Sequence, residues 1–228
     1  MKAMSHWTVV LTLAVILVTV AVIPNFVRAQ PLTTLHSFLY RKRGAEPVAG
    51  LIQATNGDFY GTTAIGGENS NSSYGCSQGC GTVFKITPDG GLTLLYSFCS
   101  QTDCTDGSEP FAGVIQGTDG DLYGTTFAQV AINSRQQQYG TAFSLSVGLN
   151  PFVEIQTTSG RVDAAVKILG NNLTGATSVT FNGTVAKFTV ISQFEIKTTV
   201  PEGATTGFVQ VETPSGALTS NVVYTVKP

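Results

Sequence analysis

"LIQATNGDFYGTT" at residues 51–63 returns sixty-three positions later as "VIQGTDGDLYGTT" at 114–126. Asn56-Gly57 in the first copy and Asp119-Gly120 in the second hold the same place. Such pairs supply the positive φ angles that two-residue hairpin turns need. "LIQA" and "DFYGTT" are therefore expected to pair antiparallel across the first turn, and "VIQG" and "DLYGTT" across the second. The likeness continues outward: "EPVAG" and "EPFAG" precede the two copies, "TLHSF" (34–38) matches "LLYSF" (94–98), and "GTVFKI" (81–86) matches "GTAFSL" (140–145). Between "TVFKIT" and "LTLLYSF" lies Pro88-Asp89-Gly90-Gly91, in which Pro presets φ and Gly permits the return. The repeat has a period near sixty, with about four antiparallel strands per unit, the content of one β-propeller blade.

Composition agrees with an all-β chain. Only 11% of the 228 residues are charged, 25 are Gly, and short runs of Val, Ile, Phe, Tyr and Thr are divided by turn residues, with no long helical stripe after residue 30.

The unit "AGLIQATNGDFYGTTAIGG…GTVFKITPDGGLTLLYSF" resembles the GloVer (Gloeo/Verruco) tandem repeat of exported bacterial proteins, over residues 31–147. The "DGDLYGTT" and "GTVFKITPDG" phrases carry that resemblance. It implies a propeller-like surface protein without an assigned activity. This chain departs from the pattern in its second copy: "FAQVAINSRQQQ" stands in place of "AIGGENSNSS", Ser144 replaces Lys85, and no Pro-Asp-Gly hairpin follows "GTAFSL". One complete unit (31–98) and one incomplete unit (99–147) make up the repeat region, 30–149. A closed ring needs about four to eight blades. Two units therefore call for assembly of several chains into a homo-oligomer, for packing as a small sandwich, or for a shortened protein of marginal stability.

From residue 150 the period is lost. "VKILGNNL", "SVTFNG", "AKFTVIS", "FEIKTTV", "GFVQVET" and "NVVYTV" are strand candidates, with Val179, Phe181, Val209 and Val211 alternating inward against Thr180, Gln210 and Glu212. Residues 150–228 have the size and pattern of an immunoglobulin-like sandwich. The stretches "ILGNNL", "VTFNG", "VPEGATTG" and "VETPSG" resemble an IPT/TIG domain, with Asp163 where that family commonly has Gly in a turn. The resemblance implies a module of cell-surface receptors, adhesins and polysaccharide-degrading systems.

Residues 1–29 read as a signal peptide: Lys2, an apolar run over 9–23, Pro24, then Val27 and Ala29 at the small-residue positions of a cleavage site. The apolar run is short of the ~20 residues of a spanning helix, so a secreted, periplasmic or cell-surface product starting at Gln30 is expected, with no membrane span. Cleavage removes Lys2 and Arg28 and no acid, leaving ten basic against fourteen acidic residues. A mildly acidic surface argues against nucleic acid as a partner, and Arg41-Lys42-Arg43 reads as a solvated loop.

Cys76, Cys80, Cys99 and Cys104 fall within one short stretch, and in an exported chain such a set reads as disulfides. Three pairings are possible. We favour Cys76–Cys80 and Cys99–Cys104, each pinning a polar loop between strands; a four-thiolate zinc site is the competing reading, with looser spacing than zinc knuckles carry.

Catalytic chemistry finds little support. His36 is the single histidine after residue 29, in a strand-like "TLHSF" where the second copy has Tyr96, and no GxSxG elbow is present. Glu46 and Glu109, and Asp58 and Asp121, are the carboxylates that a glycoside hydrolase would draw on, but residues repeated in each unit serve turns and caps. Tyr60 and Tyr123 of "YGTT" are candidate glycan-stacking platforms, with packing between blades as the alternative. Asp103, Asp106, Glu109, Asp119 and Asp121 are candidate Ca2+ ligands, weighed against turn chemistry. Asn71, Asn172 and Asn182 fit a glycosylation tripeptide and read as turns. The expected function is noncatalytic interaction with a protein or glycan at the cell surface; the alternative is a carbohydrate-binding accessory module or a glycan-active enzyme.

Overall fold

Asn-Gly and Asp-Gly turn the chain back on itself at both repeated phrases. In the computed structural model, which describes residues 31–39, 41–70, 75–128 and 140–228, Gly57 and Gly120 have φ of 86° and 95°. The expected leader, the Asn71 tripeptide and most of "FAQVAINSRQQQ" lie outside the described residues. Across the first turn β1 (Ile52–Gln53) pairs antiparallel with β2 (Phe59–Thr63); β3 (Thr82–Ile86) and β4 (Leu92–Ser97) complete a four-stranded sheet in the order β1-β2-β3-β4. The second copy forms a three-stranded sheet of β5 (Ile115–Gln116), β6 (Leu122–Thr125) and β7 (Ala142–Leu145). Gly90, with φ of 92°, closes the β3–β4 turn; that hairpin has no counterpart after β7, as the missing Pro-Asp-Gly implies.

The two copies make the same internal bonds at equivalent positions of the repeat. Ala54 N–H donates to the Asp58 carbonyl at 3.0 Å, and Gly117 N–H to that of Asp121 at 2.8 Å. Ala64 N–H reaches the Glu46 carbonyl and Phe127 N–H that of Glu109, both at 3.0 Å. The Thr63 and Thr82 hydroxyls lie 2.7 Å apart, those of Thr126 and Thr141 2.8 Å. Gly44 and Gly107 sit directly against these threonine pairs, where a Cβ has no room.

"TLHSF" is not a strand, contrary to expectation: residues 34–38 have no ladder partner among the described residues, and Leu35 is 40% exposed. A strand exists only where a neighbour takes its hydrogen bonds, and here none does.

Beyond residue 150 two sheets enclose one core. One has the order β13-β14-β10-β8, built from β8 (Glu154–Ile155), β10 (Ala165–Leu169), β13 (Phe188–Ser192) and β14 (Glu195–Thr199). The other, β12-β11-β15-β16-β9, uses β9 (Ser159–Gly160), β11 (Ser178–Phe181), β12 (Thr184–Val185), β15 (Gly207–Thr213) and β16 (Gly216–Val226). All six expected strands are present, and Val179, Phe181, Val209 and Val211 point into the core with Ile168 and Ile196 of the facing sheet. The short β8, β9 and β12 carry no pattern long enough to read. Asp163 takes φ of 68°, the conformation that glycine usually supplies at a turn. The chain is thus all-β, its described helical elements being only 3-10 turns, and no helix among the described residues is long and apolar enough to cross a membrane.

Tyr224 in β16 is 1% exposed, and its hydroxyl has no hydrogen-bond partner among the described residues. Burial pushes its phenol pKa up from the usual 10.0. A buried, unpaired hydroxyl costs desolvation energy, so Tyr224→Phe is expected to stabilise the protein by about 1 kcal/mol, read from the urea unfolding midpoint.

Candidate functional site

A set of side-chain hydrogen bonds gathers in the stretch between the two repeated sheets. After β4 the chain makes a tight loop closed by the Cys99–Cys104 disulfide, with a 3-10 turn at Thr102–Cys104 and left-handed φ at Cys99, Asp103 and Cys104. Asp106 anchors this loop. One of its carboxylate oxygens accepts from the Tyr96 hydroxyl at 2.8 Å, the Ser100 N–H at 2.9 Å and the Ser100 hydroxyl at 3.1 Å; the other accepts from the Gln101 N–H at 3.3 Å. Burial pushes the Tyr96 phenol pKa up, and the hydrogen bond to Asp106 and its charge push the same way. Tyr96, Phe98 and Asp106 line a cavity of about 320 Å³ with residues 141–145 along β7.

These contacts occupy much of Asp106's accepting capacity, so its role is to fold the loop. Asp106→Ala is expected to destabilise the protein by about 1–2 kcal/mol, to speed exchange of the Ser100 amide, and to lower the Tyr96 pKa without restoring it fully, because burial remains.

The other candidates are placed as follows. Cys76 pairs with Cys80, and Cys99 with Cys104. The sulfurs of Cys76, Cys80 and Cys99 lie within 4.8 Å of one another, the one three-ligand grouping among the described residues; bonded in disulfides, they offer no thiolates. The five calcium candidates form no such group there. Asp119 is held by turn bonds, its carboxylate accepting from the Tyr123 hydroxyl and the Asp121 N–H. Asp58 pairs with Lys85 at 3.1 Å, which raises the lysine's pKa through the hydrogen bond and the carboxylate's charge. Ser144, in place of Lys85, leaves Asp121 without that partner.

Tyr60 and Tyr123 occupy the same position in the phrase but different surroundings. Tyr60 is 2% exposed, in one cluster with Val114 and Leu122 of the second copy, and its hydroxyl accepts from Asn56 at 3.1 Å. A ring so covered offers no face to a sugar. Tyr123 is 37% exposed, and its hydrogen bond to Asp119 raises its phenol pKa. His36 packs edge-on against Phe38 with ring centroids 5.0 Å apart. Asn172 and Asn182 both take positive φ, and the Asn182 amide donates to the Thr205 hydroxyl at 2.8 Å; both stand in turns, as expected.

Sequence reasoning passed over the backbone of Glu46 and Glu109, with φ of 57° and 56°. Their common place before Pro was visible, but left-handed backbone at glutamate has no sequence signal. Glu109 is also the hinge between the copies: its N–H donates to the Cys80 carbonyl at 2.8 Å, and Pro110 packs directly on Gly81. Thr62 reinforces the junction by donating to the Ala112 carbonyl at 2.9 Å, as does Gln116, bonded twice to Thr55 at 3.0 Å.

No family model and no curated protein matches the chain. Among solved structures it is similar to a "Novel fungal alcohol oxidase with catalytic diversity among the AA5 family, in complex with copper", with 10% identity and a TM-score of 0.26, over 76% of this chain and 40% of that one. A likeness of that size carries no argument about activity.

Proposed function

We propose that this is an exported, noncatalytic protein of the bacterial cell surface or its surroundings, in which two GloVer-like repeat units and an IPT/TIG-like domain present surfaces to a protein or glycan. The observation that carries the reading is the use made of the recurring polar residues. Asn56 donates to the Tyr60 hydroxyl and Asp119 accepts from that of Tyr123, and the Thr63 and Thr82 hydroxyls pair as do those of Thr126 and Thr141. Groups held by their own scaffold in both copies serve folding in both. The paired cysteines accord with an oxidising compartment.

The exposed ring of Tyr123 favours one second reading, a carbohydrate-binding accessory module. A glycan array run beside a hydrolysis assay on the same glycans tests both. The expected result is no turnover; retention of a glycan class that Tyr123→Ala abolishes would establish the accessory reading. Turnover that disappears on a single change such as Glu109→Gln would overturn the noncatalytic reading.

A further inference from the structure

Among the described residues, each end of the repeat region carries an element without a ladder partner on one side, and the two match. At the tail, β7 pairs only with β6 among the described residues, whereas its counterpart β3 lies between β2 and β4. Among the described residues the second sheet therefore has three strands where the first has four. At the head, "TLHSF" repeats the sequence of β4 but belongs to no sheet.

That head segment is nevertheless placed as a fourth strand would be. Phe38 meets Phe84 edge-on at 5.0 Å, and Phe98, which follows β4, meets Phe143 edge-on at 5.1 Å. His36 stacks edge-on with Phe38 as Tyr96 does with Phe98, at 5.0 and 5.3 Å. Residues 34–38 thus pack on the first unit as the end of β4 packs on the second, like the last strand of a preceding unit. Glu46 and Pro47 extend the match. They repeat the Glu109-Pro110 step, with the same φ, that docks the second unit on Cys80 and Gly81. Gly140, at the tail, stands at the position of Gly81 in the repeated phrase.

We propose that copies of this chain associate head to tail, residues 34–38 of one copy adding as a fourth antiparallel strand to the free edge of β7 in the next. Main-chain hydrogen bonds to an open sheet edge supply the attraction. The junction reproduces the one between the chain's own two units. The contact is heterologous, so copies close into a ring or extend as a filament according to the rotation per unit. The C-terminal sheets reach the second unit through Phe152 and Asn171 at Thr118, on the β5–β6 turn. The inference rests on reading the two sheets as repeats of one unit and on nothing about the ligand.

The β3–β4 register sets the test. Val83 faces Tyr96 there, which places Ala142 opposite His36 of the neighbouring copy. Full chains carrying His36→Cys and Ala142→Cys, expressed for export and mixed under mild oxidation, are expected to yield the mixed disulfide dimer, identified by peptide mapping. Its yield should exceed that of His36→Cys mixed with Val185→Cys on the order of tenfold, as an ordered neighbour raises the effective concentration. Light scattering of the unmodified chain should show a mass that rises with concentration, and Ser37→Pro, which blocks the strand ladder, should hold it at one chain. A mass of one chain throughout, with no mixed dimer and with the amides of β2, β3 and β6 protected from exchange, overturns head-to-tail association and leaves the repeat reading standing. Unprotected amides in those strands overturn both.

Discussion

Gly81→Ala is expected to destabilise the protein by about 3 kcal/mol and to loosen the second repeat unit from the first. Gly81 has φ of +94°, and left-handed backbone costs an L-residue about 1–2 kcal/mol. A Cβ there meets the rigid ring of Pro110 and lies 2.7 Å from the Thr63 carbonyl oxygen. Neither neighbour is the end of a flexible side chain. The clash also falls on the junction where Glu109 N–H is bonded to Cys80, so faster exchange of the Glu109 amide should accompany the loss of stability. Gly57→Ala is the control: φ is +86°, but a Cβ there meets nothing within 4 Å, and only the backbone cost of about 1–2 kcal/mol is expected. Equal unfolding midpoints for the two variants would remove the steric role assigned to the junction.

The largest effect in the C-terminal part is expected from Phe181→Ala, a loss of about 3–5 kcal/mol. Phe181 is 1% exposed between the two sheets and meets Tyr224 edge-on with ring centroids 5.1 Å apart. The facing residues are fixed in strands on both sides, so the space left by the ring cannot close. Phe208 in the adjoining strand β15 is 47% exposed, and Phe208→Ala should change stability by only about 0.5 kcal/mol. Thermal or urea unfolding of the pair measures which face of the sheet is inside.

The sequence carried the turns and alternations well, because both are local. Asn56-Gly57 and Asp119-Gly120 specify hairpins without reference to anything distant, and Val179, Phe181, Val209 and Val211 specify an inner face by period alone. Residues whose state depends on a distant neighbour were not legible. Tyr60 and Tyr123 share one phrase, yet one ring is covered by the second unit and the other is left partly exposed among the described residues. "TLHSF" has the composition of a strand and lacks the partner that would make it one. Asp106 reads as a candidate calcium ligand by spacing; that its carboxylate holds the loop after β4 is revealed only by the approach of Tyr96 and Ser100. The positive φ at Glu46 and Glu109 is imposed by the junction they build, and nothing in the residue type announces it.

Native-state amide hydrogen exchange tests the central claim, that the recurring phrase encodes backbone geometry. The bonded amides come in pairs: Ala54 with Gly117, Gly57 with Gly120, and Ala64 with Phe127. Protection of both members of each pair is the result this account predicts. Protection confined to one copy, or absent from both, would contradict it.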